Sequence, residues 1–204
     1  MIEEAENTIS IPALLQDKIH KKLTLTKEGL TIEKPLSSAL VVFIPAEDIL
    51  SFRYGIKWLK GSHFTIGRRY TIQVQDVNNQ ITSIKLSSYY GIRRKAYGQV
   101  WSEIIDRLWD NYFINTYNFY SGLYQARQEF ELAGMKFYHN GIGWDNNSLF
   151  WNEIGLSTYQ TYFMVHHRND PKKTKSFSFM NDWNAYLLQR LLKKIIGEIS
   201  PVVK

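Results

Sequence analysis

Apolar and polar residues alternate along much of the chain, which is the pattern of half-buried β-strands. The segments KKLTLTKEGLTIEK (21–34) and RRYTIQVQDVNNQITSIKLSS (68–88) show it most clearly. Each is interrupted by a short polar sequence, KEG in the first and NN in the second, whose residues accept turn conformations. Both segments therefore predict β-hairpins.

Two further strands are predicted between these hairpins. The sequence ALVVFIP (39–45) is an apolar run, and Pro45 ends its ladder because proline lacks an N–H donor. The sequence DILSFRYGIKWL (48–59) follows as another strand, in which Gly55 permits a bend or bulge. A short helical or irregular lead-in is expected around Ala13–His20.

The period then changes from two to between three and four, which predicts an amphipathic helix that buries one stripe on the sheet. Residues 113–129 are expected to connect two domains as a partly helical segment with a break at Gly122. The stripe consists of Tyr97, Trp101, Ile104, Ile105, Leu108, Trp109 and Tyr112.

The second half of the chain restarts the strand pattern. A hairpin is predicted around HNG (139–141), a strand in SLFWNEIGLSTYQ, and a second hairpin with RNDPKKTK (168–175) as its loop. A final helix is predicted with Asn181 or Asp182 as its N-cap and Pro201 marking its end. Its expected buried stripe is Leu187, Leu188, Leu191, Leu192, Ile195 and Ile199.

The order of elements in the two halves predicts a domain duplication. FIPAEDI (43–49) and SLFWNEI (148–154) both contain an apolar run, a stop, an acidic residue and an isoleucine. The predicted fold is mainly β (α+β), with two bent antiparallel sheets or partly open barrels, each capped by a C-terminal amphipathic helix. The predicted divisions are a lead-in (1–20), domain 1 (21–112), a connecting segment (113–129) and domain 2 (130–204).

This arrangement resembles the bacterial pleckstrin-homology-like (PH-like) domains, a superfamily that includes GRAM-type domains. The resemblance is carried by GLTI, IPAEDI and the helix from Tyr97, and again by NGIGW, FWNEI and the helix from Asp182. It covers about 21–112 and 130–199, and it implies a non-enzymatic adaptor role in docking to lipid, to peptide or to itself. Phosphoinositide-binding members place several basic residues across the first hairpin. In this chain, neither the hairpin around KEG nor the hairpin around HNG has such a cluster.

The composition narrows the classes of function. Aromatic residues make up 15% of the chain, which favours β-structure with well-filled small cores. The absence of cysteine excludes disulfides, thiolate metal sites and a cysteine nucleophile. We expect a cytoplasmic protein, because the sequence has neither a secretory signal nor a transmembrane run. The net charge of +6 favours the approach of anionic partners.

The sequence offers no set of residues typical of catalysis, metal binding or cofactor binding. His166 and His167 are adjacent, and neighbours on a strand point to opposite faces. Glu47, Asp48 and Glu153 are interpreted as hydrogen-bond acceptors at loops or strand starts. Because no glycine-rich phosphate loop or nucleophile elbow is present, we predict no catalytic residue, no metal and no cofactor.

Basic residues at loops and element ends are the candidate binding groups. If they converge, they form an anion-attracting surface to which neighbouring aromatic residues add interfacial contact. The basic candidates for anion or membrane binding are Arg68, Arg69, Arg93, Arg94, Lys95, Lys172, Lys173 and Lys175, and the aromatic candidates are Trp58, Tyr89 and Tyr90.

The leading hypothesis is a non-enzymatic interaction module. It would bind a protein or peptide partner through a strand edge or the groove beside the helix, or an anionic phospholipid surface through the basic loops, and it could self-associate. One alternative is small-molecule binding or an enzymatic site at an inter-domain cleft. Another is single-stranded nucleic-acid binding, which uses the same charge with exposed aromatics and ranks lower.

Overall fold

A computed structural model describes residues 7–14, 20–33 and 41–199. It confirms a mainly β protein in which every sheet is antiparallel and open. The chain divides into two compact units, residues 1–114 and 115–204. Within the described ranges, no helix is long and apolar enough to span a membrane.

The first unit contains a four-stranded sheet followed by a three-stranded sheet and a helix. The strand orders are β1-β2-β3-β4 and β5-β6-β7, so neighbours in sequence are neighbours in space. A 3-10 turn, Ala46–Asp48, joins the two sheets. The elements are β1 (Thr8–Pro12), β2 (His20–Leu25), β3 (Gly29–Glu33), β4 (Val41–Pro45), β5 (Ile49–Lys60), β6 (Thr65–Asp76), β7 (Ile81–Tyr89) and α1 (Arg94–Leu108).

After an additional helix at its start, the second unit repeats the order of elements of the first. It begins at the helix α2 (Ile114–Gln125), and its sheets follow the orders β11-β10-β9-β8 and β12-β13-β14. The 3-10 turn Trp151–Glu153 joins these sheets, at the position of the repeated sequence motif. The elements are β8 (Phe130–Leu132), β9 (Met135–Tyr138), β10 (Gly141–Trp144), β11 (Asn147–Phe150), β12 (Ile154–Thr158), β13 (Tyr162–His167), β14 (Thr174–Ser178) and α3 (Ala185–Ile199).

All four hairpins predicted from alternation are confirmed, because each pattern coincides with an antiparallel pair. The lead-in agrees with the prediction in part. Ala13 and Leu14 are irregular, which is one of the two forms expected, and residues 15–19 lie outside the described residues. His20 belongs to β2. Residues 8–12 form an additional strand, β1, which pairs with β2. This strand was missed because its pairing depends on a partner that the local sequence does not reveal.

Two helix predictions were wrong. Gly122 does not break the helix, because it lies inside α2. A glycine inside a helix costs only about 1 kcal/mol relative to alanine, which the rest of the helix can offset. Helix α3 begins at Ala185 rather than at a cap on Asn181 or Asp182. The Asp182 carboxylate instead accepts a hydrogen bond from the Ser178 backbone N–H at 2.7 Å, so it ends β14.

The predicted apolar stripes pack on the sheets. In α1, Trp101 lies edge-on to Tyr54 of β5, with ring centroids 6.0 Å apart. In α3 the buried stripe runs from Leu187 to Ile195, and the side chain of Ile199 lies outside the described residues. Helices α1 and α3 therefore each cover apolar side chains of their own unit.

An aromatic cluster closes the first unit beyond α1. The chain continues as a π-helical turn, Trp109–Phe113. Phe113 is fully buried and stacks on Phe52 of β5, with centroids 3.4 Å apart, and Trp109 meets both rings edge-on. Tyr112 of the same turn donates a hydrogen bond to the Thr26 carbonyl at 2.7 Å. The turn therefore joins the sheet β5-β6-β7 to the hairpin of the first sheet.

Phe113→Ala should lower the free energy of unfolding of the first unit by about 3–5 kcal/mol, because it removes a ring from a filled site. Phe119→Ala is the control, since Phe119 is 62% exposed. Urea unfolding followed by near-ultraviolet circular dichroism measures both variants. Equal small losses for the two would contradict the packing role of Phe113.

The buried tyrosines should make stability fall at high pH. Burial raises the pKa of Tyr112, and it raises the pKa of Tyr186 to about 12. The unfolded chain releases these protons from about pH 10, whereas the folded protein retains them. The stability that the protonated tyrosines contribute is therefore fully present below about pH 10 and is lost as the pH rises above it. Urea unfolding between pH 7 and 11 should show this decline reduced in a Tyr112→Phe/Tyr186→Phe variant, and equal profiles would contradict it.

Candidate functional site: a basic depression in the first unit

Strand alternation distributes the basic candidates between the two faces of the sheet β5-β6-β7. Phe52, Tyr54 and Trp58 share one face, because alternate residues of a strand point the same way. The strand register places Trp58 opposite Arg68, and Arg68 opposite Ser88. This row continues the core face: Ser88 is still buried, whereas Arg68 is half-buried and Trp58 is exposed.

Trp58 holds Arg68 in place. The Arg68 guanidinium carbon lies 3.9 Å from the centroid of the Trp58 ring, which is a cation–π contact. Trp58 remains 40% exposed, so one side of its ring supports the arginine while other parts meet water. The contact restricts the rotamers of Arg68 and presents its charge at the end of the sheet.

The loop between β7 and α1 has a tightly fixed backbone. Tyr90, Gly91 and Arg93 have positive φ angles of 50°, 80° and 56°, which non-glycine residues seldom adopt. The Tyr90 N–H donates to the Ile66 carbonyl at 2.8 Å, which ties the loop to β6. The Ser88 hydroxyl donates to the Ile92 carbonyl at 2.7 Å. Such conformations are concentrated at binding sites, where the surrounding structure maintains them.

Arg68, Arg94 and Lys95 line one open depression of about 610 Å³, which we name the basic depression. The Tyr70 hydroxyl donates to the Arg94 carbonyl at 3.3 Å and so positions the first turn of α1. None of the described residues that line the depression is acidic. Its other lining residues are Tyr70, Gly91, Gly98, Gln99 and Ser102.

The charges of the basic depression oppose the stability of its own helix. Arg94 and Lys95 occupy the first turn of α1, where no acidic residue is present. A helix N-terminus carries partial positive charge, so basic residues there are unfavourable by a few tenths of a kcal/mol each. Local rules of this kind are broken mainly at functional or strained sites.

Two of the predicted basic residues belong elsewhere in the first unit. Arg69 lies on the opposite face of the sheet, in one row with Lys57 and Ser87, and its Nε donates to the Ser87 hydroxyl at 3.1 Å. The Nε of Arg93 donates to the Leu14 carbonyl at 3.1 Å, so this residue fixes the chain beyond β1. Neither side chain lines the basic depression.

The aromatic candidates are also separated. Tyr90 is 76% exposed at the loop before α1, close in sequence to Arg94. Tyr89 instead lines a different cavity of about 390 Å³, together with Ile11 of β1 and Lys85 of β7. Trp58 contacts the basic depression through the side chain of Arg68, and Tyr90 directly precedes its lining residue Gly91.

The lysines of the second unit do not form a comparable site. Lys172 is exposed and Lys173 is half-buried, both in the loop between β13 and β14. Lys175 was expected in that loop, but it lies on β14, and its Nζ donates to the Gly134 carbonyl at 3.2 Å. The strand begins at Thr174 because that residue pairs with His166.

The histidine pair makes local hydrogen bonds. The two ring nitrogens of His166 lie 3.2 Å from the Ser157 hydroxyl and 3.2 Å from the His167 carbonyl. The Nδ1 of His167 accepts the Asn169 N–H at 2.9 Å. In the described part of the chain, no group of three or more His, Cys, Asp or Glu side chains is placed to hold a metal ion.

The prediction that Glu153 is a hydrogen-bond acceptor near a strand start is confirmed. Its carboxylate accepts the Phe150 N–H at 3.0 Å and so closes the 3-10 turn before β12. The corresponding bond cannot form in the first unit, because the N-cap residue of that turn is Pro45, which has no backbone N–H. The acidic residue thus has a structural role in the second copy of the motif.

Several residues of the basic depression were not predicted. Tyr70 was identified only as a strand residue, and Gly98, Gln99 and Ser102 lie on the polar side of α1. The spacing of Arg94, Lys95, Gly98 and Ser102 was an available signal, because positions three and four apart share one helix face. The approach of that face to Arg68 depends on tertiary packing, which the sequence does not display.

Comparisons with known proteins do not assign this chain to a family. No protein-family model matches the chain, and no curated protein matches it. Among solved structures, a chain of "Structure of the Spt16D Pob3N heterodimer" is similar at 10% sequence identity and a TM-score of 0.28, covering 86% of this chain and 95% of that chain. A TM-score of this size assigns no family, so the site is interpreted from its own geometry.

Gly98→Ala should stabilise the first unit by about 0.5–1 kcal/mol, the usual helix-propensity gain. An added Cβ would meet only the Tyr70 hydroxyl, at an ordinary 3.6 Å. Gly197→Ala in α3 is the control, because nothing lies within 4 Å of its added Cβ. Urea unfolding measures both. If Gly98→Ala lost stability and Gly197→Ala did not, the prediction would be wrong. Gly98 would then be required for packing rather than for keeping the depression open.

Proposed function

We propose that this protein is a non-enzymatic interaction module that binds an anionic surface through the basic depression. The observation that carries the proposal is the convergence of Arg68, Arg94 and Lys95 on one open depression whose described lining contains no carboxylate. Three cations that converge with no carboxylate among the described lining residues produce a positive potential that attracts anions. The open shape suits a surface partner better than an enclosed small substrate.

We further propose that the chain contains two PH-like domains, at 21–112 and 130–204, joined by the segment 113–129, with β1 (Thr8–Pro12) and His20 completing the first sheet of the first domain. The common order of elements in the two units supports this: a four-stranded sheet, a 3-10 turn, a three-stranded sheet and a helix. The repeated motif at the two 3-10 turns supports it independently. In this proposal the second domain conserves the scaffold without a matching cluster of converging cations.

An acidic segment of a protein partner is the second candidate for the anionic surface. The strand β7 favours it, because it ends the order β5-β6-β7 and has one edge without a strand neighbour in its sheet. Such an edge can accept an extended peptide by backbone hydrogen bonding. A cytoplasmic location, as expected from the sequence, would give access to either candidate.

Replacing the three cations should abolish most of the binding. The variant Arg68→Gln/Arg94→Gln/Lys95→Gln should bind anionic vesicles about 100-fold more weakly, because each cation near an anionic surface contributes on the order of 1 kcal/mol. Sedimentation with phosphatidylserine-containing vesicles measures the loss. Neutral phosphatidylcholine vesicles, a single-stranded oligonucleotide and a polyglutamate peptide are the comparison ligands.

The matched control is Lys57→Gln/Arg69→Gln/Lys85→Gln. It removes the same total charge from the opposite face of the same sheet, where these residues alternate with the core positions. The control should retain binding to within a few-fold. Equal losses of binding in the two variants would show that net charge, not the basic depression, causes binding. Absence of binding to every anionic ligand would also overturn the proposal.

A further inference from the structure

We infer that the anionic surface is a lipid bilayer and that apolar residues around the basic depression insert into it. This inference rests on the function proposed above and names the partner of the same site. Four large apolar side chains are exposed at this end of the sheet, and we name them the apolar rim. They are Trp58, Phe64, Tyr90 and Ile92, with exposed fractions of 40%, 60%, 76% and 45%.

Phe64 is held at the tip of a closed turn. It lies in the connection between β5 and β6, where the Gly61 N–H donates to the Phe64 carbonyl at 2.7 Å. The turn is therefore fixed, although its ring has no burial to stabilise it there. A large aromatic residue maintained in water on a rigid turn is typical of a contact site rather than of a core.

The apolar rim and the cations share one end of the first unit. Trp58 supports Arg68, the Tyr90 N–H joins the Ile66 carbonyl, and Ile92 precedes Arg94 by two residues. Phe64 precedes Arg68 by four residues, which is a separation on the order of 10 Å at the rise of an extended strand. The apolar tips can therefore reach the boundary of the acyl chains while the cations remain near the phosphate groups.

The composition of the rim favours a bilayer over single-stranded nucleic acid. Bases bind by stacking on open aromatic faces. One face of Trp58 is already occupied by the Arg68 guanidinium, and Ile92 has no aromatic face. Aromatic rings together with an aliphatic side chain, next to lysine and arginine, are the residues that anchor proteins at membrane interfaces.

The proposed site differs from the one that the family resemblance suggests. Phosphoinositide-binding PH domains use cations of their first hairpin. In this structure the first antiparallel pair is β1-β2, whose connection lies outside the described residues, and the predicted KEG hairpin connects β2 to β3. The basic depression and apolar rim belong to the second sheet and to the loop before α1. The proposed contact thus combines charge and insertion at the second sheet.

The absence of cysteine from the chain allows insertion to be measured at single positions. Phe64→Cys carries an environment-sensitive NBD label, and Asn78→Cys carries the same label in the turn between β6 and β7, at the opposite end of the sheet. With phosphatidylserine-containing vesicles, the label at 64 should shift to shorter wavelength, gain at least twofold in intensity and be quenched by doxyl-labelled lipid. The label at 78 should remain unchanged.

A second variant separates insertion from charge. Phe64→Ser/Ile92→Ser should weaken vesicle binding by at least tenfold while leaving polyglutamate or oligonucleotide binding unchanged, and Phe119→Ser is its exposed aromatic control. If vesicles bind through the three cations but the label at 64 stays in water and the serine variant binds normally, insertion is wrong and the proposed function stands. If the three cations bind only the oligonucleotide or the peptide, the bilayer is wrong. If nothing binds, both fail.

Discussion

The alternation of side chains across the sheet β5-β6-β7 determines both what the first unit buries and what it presents. One face supplies Phe52 and Tyr54 to the aromatic core beneath α1 and the π-helical turn. The same face continues to Trp58 and Arg68, past the part that is buried. The proposed binding residues Trp58 and Arg68 are therefore positioned by the register that forms the core, and a shift of one residue would move both to the other face.

The basic depression joins this register to the helix, so that its cations are fixed in place although Arg94 and Lys95 are exposed. The guanidinium of Arg68 rests on a ring, and the backbone before α1 is held by hydrogen bonds to β6 and by residues with positive φ. The first turn of α1 carries Arg94 and Lys95 against the preference of the helix dipole. Rigid placement reduces the conformational entropy lost on binding, which favours association with an anionic partner.

The sequence predicted the elements better than the site. Hairpins and helix stripes are local patterns, and they were recovered because alternation and a period of 3.6 directly reflect burial. The Asp182 cap failed because the carboxylate accepts a backbone N–H of the preceding strand instead. Arg68 and Arg69 looked equivalent in sequence, yet alternation gives only Arg68 to the depression. Tyr70 and Gly98 required the packing of a helix on a sheet, which no local pattern contains.

The central claim is that an anionic ligand binds on the Arg68 face of the first unit. The most direct measurement is a backbone and side-chain NMR titration with a short-chain anionic phospholipid below its micelle concentration. We predict chemical-shift changes confined to Arg68, Gly91, Arg94, Lys95 and Gly98, with the Trp58 indole included. Changes confined to Lys57 and Arg69, or to the loop 168–173, would contradict the claim, as would a spectrum that does not change.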